Sequence, residues 1–230
     1  MSSPVHRWRV VAFIGGLLAL WLAVGSPLAG MDHYLLTAHM AQHLLLMTVA
    51  APLILLGASV IALPNGPKRL RPVGRIVGSI VTHPVFCWLA ATAAVIGWHV
   101  PALFEMGMRL AGWHAFEHAS FLAAGLLFWC PVIQPWPGVA RCPRWGVPLY
   151  LFLATLPCDA LSAFLTFCGR VVYPHYLSMP RLFDISALGD QECAGALMWV
   201  WVTFVYLAPA VVITIRTLSP RRHAWNPEVL

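Results

Sequence analysis

A chain of 230 residues that is 60% hydrophobic and only 10% charged carries more apolar surface than a soluble fold of that size can bury. The formal net charge is +6, but the basic residues cluster between apolar stretches, where membrane topology accounts for them. No basic stripe on a soluble domain points to a nucleic-acid partner, so the expected class is an all-α, polytopic transmembrane bundle solvated by the lipid bilayer.

A helix of about 20 apolar residues spans the hydrocarbon core. In chain order the qualifying segments are Val10–Ala29, Leu35–Leu56, Pro84–Val100, Ala115–Ile133, Val147–Phe167 and Ala194–Ile215, six helices in one domain over residues 1–230. The first has the basic start and small-residue end of a secretory signal. Its apolar run is long for one, and it is read as a retained helix. The third is short and ends on Trp98-His99-Val100-Pro101. Pro52 and Pro157 fall inside segments, where neighbouring helices satisfy the freed carbonyls.

Orientation follows from charge. With the N-terminus inside, the inner set of cations is Arg7, Arg9, Lys68, Arg69, Arg71, Arg75, Arg141, Arg144, Arg216, Arg221 and Arg222. The outer set is Arg109, Arg170 and Arg181. That bias predicts cytoplasmic termini. The loop Pro64–Thr82, basic and rich in Pro and Gly, suits anionic headgroups. The six cysteines form no CxxC. Cys168 and Cys193 bracket the longest outer loop, Gly169–Cys193, where a disulfide and two free thiols are both open.

On this topology His33, His39, His43, His99, His114, His118 and His175 fall at the outer side, and His6, His83 and His223 at the inner. His39 and His43 are four apart, so they share a helix face, and His114 and His118 repeat the spacing. With His99, three helices bring five imidazoles to a similar depth. Ionisable groups within membrane segments are costly and face the bundle interior. A convergent set of imidazoles suits copper, zinc or iron, and interhelical hydrogen bonding is the alternative.

Met40, His43 and Met47 form an i, i+3, i+7 stripe, Met106 and Met108 lie in the loop before His114, and Met198 follows Asp190 and Gln191 by two turns. Thioethers favour Cu(I), although methionine in a bundle is ordinarily packing. Glu117 is placed to orient an imidazole or to bind metal itself. Asp159, beyond Pro157-Cys158 near mid-membrane, is read as a structural, hydrogen-bonded carboxyl, with a proton or ion route as the alternative.

The run His39-Met40-Ala41-Gln42-His43-Leu44-Leu45-Leu46, then Ala51-Pro52-Leu53 and Leu56-Gly57, resembles the CtaG family of assembly factors for caa-type cytochrome c oxidase. The match continues through Gly97-Trp98-His99-Val100-Pro101, Glu117-His118-Ala119-Ser120-Phe121, Phe128-Trp129, Asp190-Gln191, Ala194-Gly195 and Met198-Trp199. The resemblance implies a seventh helix, since the family is drawn with seven. It also implies a bacterial cytoplasmic-membrane protein that works on oxidase subunits and helps mature an oxidase copper centre. The expected function is therefore a non-enzymatic assembly factor or chaperone that binds copper, with Cu(I) favoured, through His39, His43, His99, His114 and His118. Met40, Met47, Glu117, Asp159, Asp190 and Met198 are additional or orienting candidates. A b-type haem carrier ligated by His43 with His99 or His118 is the first alternative. A copper or proton transporter using Asp159 is the second, and self-association is left open. No Ser-His-Asp set, carboxylate pair or phosphate loop points to a hydrolase or kinase.

Overall fold

The computed structural model describes residues 4–61, 83–134, 142–143 and 145–219, and among them every regular element is helical. Helix α1 is Pro4–Val24. A 3-10 turn, Pro27–Met31, follows because Pro27 holds Ser26 extended, at φ −88° and ψ 161°, which ends the α-helix before the expected Ala29.

The second span is one rod in three parts: α2 Leu36–Leu44, a π-helical turn Leu45–Ala50, and α3 Ala51–Ile61. The wide turn lies just before Pro52, whose ring crowds the carbonyl four residues back and whose nitrogen cannot donate. Trp129 Nε1 donates to the Met47 carbonyl at 3.1 Å, so a neighbouring helix satisfies an acceptor in that turn. Gly125 makes this approach possible. A Cβ there stands 2.8 Å from the Met47 carbonyl oxygen, too close for any side chain.

The third span differs from the expected Pro84–Val100. Helix α4 is Pro84–Trp98, and α5, Pro101–Arg109, leaves it at 73°. Pro101 opens α5 and confines Val100 to φ −67° and ψ 122°, which forces the corner. Met106 and Met108 are thus helical, not in a loop. Helix α6, Ala111–Ile133, begins earlier than hydropathy indicated, and α7 is Gly146–Phe167. Helix α8, Ala187–Leu218, starts well before Ala194, capped by Ser186 Oγ accepting from the Gly189 N–H. Its first turns carry Asp190, Gln191 and Glu192, so apolar content alone missed them.

Five of these helices are long and apolar enough to cross a membrane, and six spans result when the bent pair α4–α5 counts as one. A seventh is not among the described residues, and the loop Pro64–Thr82 lies outside them. Successive spans alternate in direction, which gathers the start of α2, the end of α4, the start of α6 and the start of α8 at one end. Large apolar side chains such as Leu18, Trp21, Phe86, Phe152, Phe204 and Val211 face outward, as lipid-facing surfaces require. Two apolar clusters fill the interior: one around Leu46, Phe121, Phe128 and Tyr206, the other around Met40, Phe104, Tyr173 and Met198 at the histidine end.

Candidate metal centre

Two facing helices build the site. On α2, His39 and His43 are one turn apart with ring centroids 4.3 Å apart. On α6, His114, Glu117 and His118 occupy positions i, i+3 and i+4, so all three face the same way. The His114 and His118 rings are 4.3 Å apart. Across the gap, His39 lies 5.6 Å from His114 and 6.4 Å from His118, and His43 lies 5.6 Å from His118. Four of the five expected imidazoles therefore converge.

Glu117 sits at their centre and is fully buried. Its Oε1 is 3.3 Å from His39 Nε2 and 3.4 Å from His43 Nε2. The His39 contact is a long hydrogen bond, against a usual value of about 2.9 Å, while His43 Nε2 has no hydrogen-bond partner. Both distances match the edge of a tetrahedral site, where donors about 2.1 Å from an ion stand roughly 3.4 Å apart. One donor atom from each of His39, His43 and Glu117 lies within 4.8 Å of the other two.

A second donor group shares His39. Asp32, buried in the turn before α2, places Oδ2 3.3 Å from His114 Nε2, and Asp32, His39 and His114 meet the same 4.8 Å limit. Sequence reading did not single out Asp32. A carboxylate one residue from His33 and just before a histidine-bearing helix was the available signal. His33 adds a ring 5.4 Å from His114, and His175 a ring 6.3 Å from His33. A cleft of about 720 Å³, lined by Asp32, His33, Arg109, His114 and His118 among others, reaches this end of the cluster.

Buried polar atoms are almost always hydrogen-bonded. Here His39 Nδ1, both ring nitrogens of His43, His114 Nε2, His118 Nε2, Glu117 Oε2 and Asp32 Oδ1 lack hydrogen-bond partners. This concentration at one end fits a donor set for a cation, and the mixture of imidazole and carboxylate suits a borderline divalent ion or copper. The helix α5 closes over it: a Cβ at Gly107 would stand 2.8 Å from Glu117 Oε2, so any larger residue there has to displace the carboxylate.

The remaining candidates divide. Asp190 accepts from the backbone N–H groups of Leu36 and Thr37 and, at 2.7 Å, from Thr37 Oγ1. It caps α2 from another helix and so fixes the angle at which His39 and His43 are presented. Gln191 ties α8 to the end of α7, donating to the carbonyls of Leu165 and Arg170 and accepting from the Val172 N–H. Tyr176 donates to the Asp32 carbonyl at 2.7 Å, and Tyr173 to that of His99 at 3.2 Å. Burial, reinforced by the nearby carboxylates, holds both phenols above their usual range, so they remain donors. Asp159 joins neither donor group among the described residues, and its Oδ1 has no hydrogen-bond partner. No disulfide joins Cys168 to Cys193. His99 lines a separate interior cavity together with Met40, Met47 and Met198.

Fold and site together define a multi-pass helical membrane protein with a buried histidine–carboxylate cluster at one end of its spans. The chain belongs to the family of cytochrome c oxidase caa3 assembly factors (Caa3_CtaG), whose model matches residues 2–219. It is similar to uncharacterized proteins of Mycobacterium bovis and Mycobacterium tuberculosis, each 27% identical over 213 residues, 86% of this chain and 32% of the relative. An uncharacterized protein of Mycobacterium leprae is 26% identical over 208 residues, 83% of this chain and 31% of the relative. The chain thus spans about a third of the length of these curated relatives. No solved structure matches it.

Proposed function

We propose that the protein binds copper at the His39–His43–Glu117 cluster, with His114 and His118 beside it, and presents it to a cytochrome c oxidase subunit during maturation of a copper centre. The copper is cargo, and the reading is of a chaperone in the bacterial cytoplasmic membrane with no catalytic step. The observation that carries it is Glu117 Oε1 set 3.3 and 3.4 Å from two histidine nitrogens, beside buried imidazole and carboxylate atoms that have no hydrogen-bond partner. Membership of an oxidase assembly family supplies the recipient.

The cluster faces the outside in this reading. Arg7 and Arg9 stand at the start of α1 and Arg216 in the last turn of α8, all at the end opposite the histidines, in keeping with the positive-inside rule. The cleft beside Asp32 and His114 is then the route of copper in and out.

The test is copper content of protein purified from copper-supplemented cells, for wild type and a His39→Ala/His43→Ala variant, with copper in the co-expressed oxidase measured alongside. The double variant is expected to lose bound copper and to leave the oxidase copper-deficient. Equal copper in both proteins overturns the assignment. An absorption spectrum of the same samples addresses the b-type haem reading, since a Soret band is expected only there. The rings of α2 and α6 stand only 5.6 to 6.4 Å apart across the gap, packing that favours a single small ion over a porphyrin.

A further inference from the structure

On the side of His43 away from Asp32, the bundle holds a partly open cavity of about 50 Å³ whose walls include Met40, His43, Met47, His99, Cys158 and Met198. These residues come from α2 and the π turn, from the α4–α5 corner, from α7 and from α8. We propose that this cavity is a second metal station, selective for a soft monovalent ion, Cu(I), and distinct in chemistry from the imidazole–carboxylate cluster. It rests on the reading that the protein handles copper, and it assigns His99 to this cavity, with His43 standing between the two sites.

The orientation of His99 is the first argument. Its Nδ1 lies 2.6 Å from the Val95 carbonyl, which only accepts, so Nδ1 carries the proton and Nε2 keeps its lone pair. That Nε2 is buried and has no hydrogen-bond partner among the described residues. A ring held through one nitrogen by a backbone carbonyl, with the other nitrogen free, is the arrangement by which proteins prepare a histidine ligand. Simple packing does not leave a buried imidazole nitrogen unsatisfied in the wall of a cavity.

Donor chemistry is the second. Three thioethers, a thiol and two imidazoles line the space, and none of its lining residues carries a carboxylate. Sulfur donors select Cu(I). The Born cost of desolvation grows with the square of the charge, so a divalent ion costs about four times as much here as a monovalent one, with no anion to offset it. The histidine–carboxylate cluster has the opposite character. Any one of the three methionines, all buried, is accounted for by packing. Their convergence on a space several times the roughly 10–15 Å³ that a water needs is not. Of the hydroxyl-bearing residues in the wall, Thr48, Thr92 and Tyr206, the first is already engaged, donating to the Leu44 carbonyl and accepting from Trp201 Nε1.

The test titrates the full chain in detergent with two probes: Ag(I), a redox-stable analogue of Cu(I), for the cavity, and Co(II) for the His39–His43–Glu117 cluster. A Met47→Leu/Met198→Leu variant, close in volume, is expected to bind Ag(I) at least tenfold more weakly and to keep the wild-type Co(II) spectrum. Glu117→Gln is expected to lose Co(II) and keep tight Ag(I) binding. Unchanged Ag(I) affinity in both the methionine variant and His99→Gln overturns the proposal. Absence of Co(II) binding by wild type counts against the cluster alone, because the Ag(I) loss in the methionine variant is read independently. Should the variants fold poorly, X-ray absorption of wild type loaded with Cu(I) decides: a sulfur shell supports the cavity, and nitrogen and oxygen scatterers alone overturn it.

Discussion

The two faces of His43 differ in how they are built. Towards Asp32, the site comes from two helices that contribute donors at a spacing of three or four residues, with Asp32 added from the turn before α2. Towards Met198, the cavity comes from four separate elements, each contributing one or a few residues. The first is a local pattern repeated twice and pressed together. The second exists only because the α4–α5 corner, the π turn and the approach of α8 bring distant side chains to one place. Local spacing sets imidazole and carboxylate donors in a cluster, while convergence alone assembles the soft one.

The largest effect expected from breaking this contrast is at the two-helix site. Replacing His39 and His43 together with Ala should lower Co(II) affinity by three orders of magnitude or more, read by spectroscopic titration, because two ligands of the tightest donor group go at once. Helix contact comes next. Gly125→Val drives a side chain into the Met47 backbone carbonyl, which cannot move aside, and should cost about 3 kcal/mol or more, seen as loss of yield and a lower unfolding temperature in detergent. Because Gly125 underlies the π turn and not the start of α2, that variant should disturb Ag(I) binding more than Co(II) binding.

Asp190→Asn sharpens the difference between holding a helix and holding an ion. It keeps the shape but weakens a charge-assisted cap on α2, so stability should fall by about 1 kcal/mol. Metal affinity should change less than tenfold, since His39 and His43 are tilted but not removed. A hundredfold loss with unchanged stability would make Asp190 a ligand. The smallest effect is expected of Asp159→Asn: less than twofold for either probe, because that carboxyl joins neither donor group. Copper uptake into proteoliposomes that depends on Asp159 would revive a transport role.

Much of this was legible beforehand, for definite reasons. Apolar runs of membrane length mark the spans directly, since lipid imposes one dominant constraint. The pairs His39/His43 and His114/His118, with Glu117, were legible because helical periodicity alone puts them on one face. Element ends were not. The starts of α6 and α8 carry polar residues that hydropathy discounts, and beyond the corner at Val100-Pro101 a second helix, α5, stands where a loop was expected. Asp32 escaped notice because a loop residue has no periodicity to betray its direction. Asp190 was recognised as unusual, but only the packing of α8 against α2 reveals that its oxygens are occupied by backbone N–H groups.

Sequence by itself therefore determined the class, the spans and the two histidine faces, because each depends on interactions within about twenty residues of chain. Tertiary structure decided which donors meet. It set Glu117 between His39 and His43, brought Asp32 to His114, and turned His99 towards the methionines instead. Those outcomes depend on where a helix ends and how closely two backbones approach, at Pro101, Gly107 and Gly125, and such distances are properties of the packed bundle.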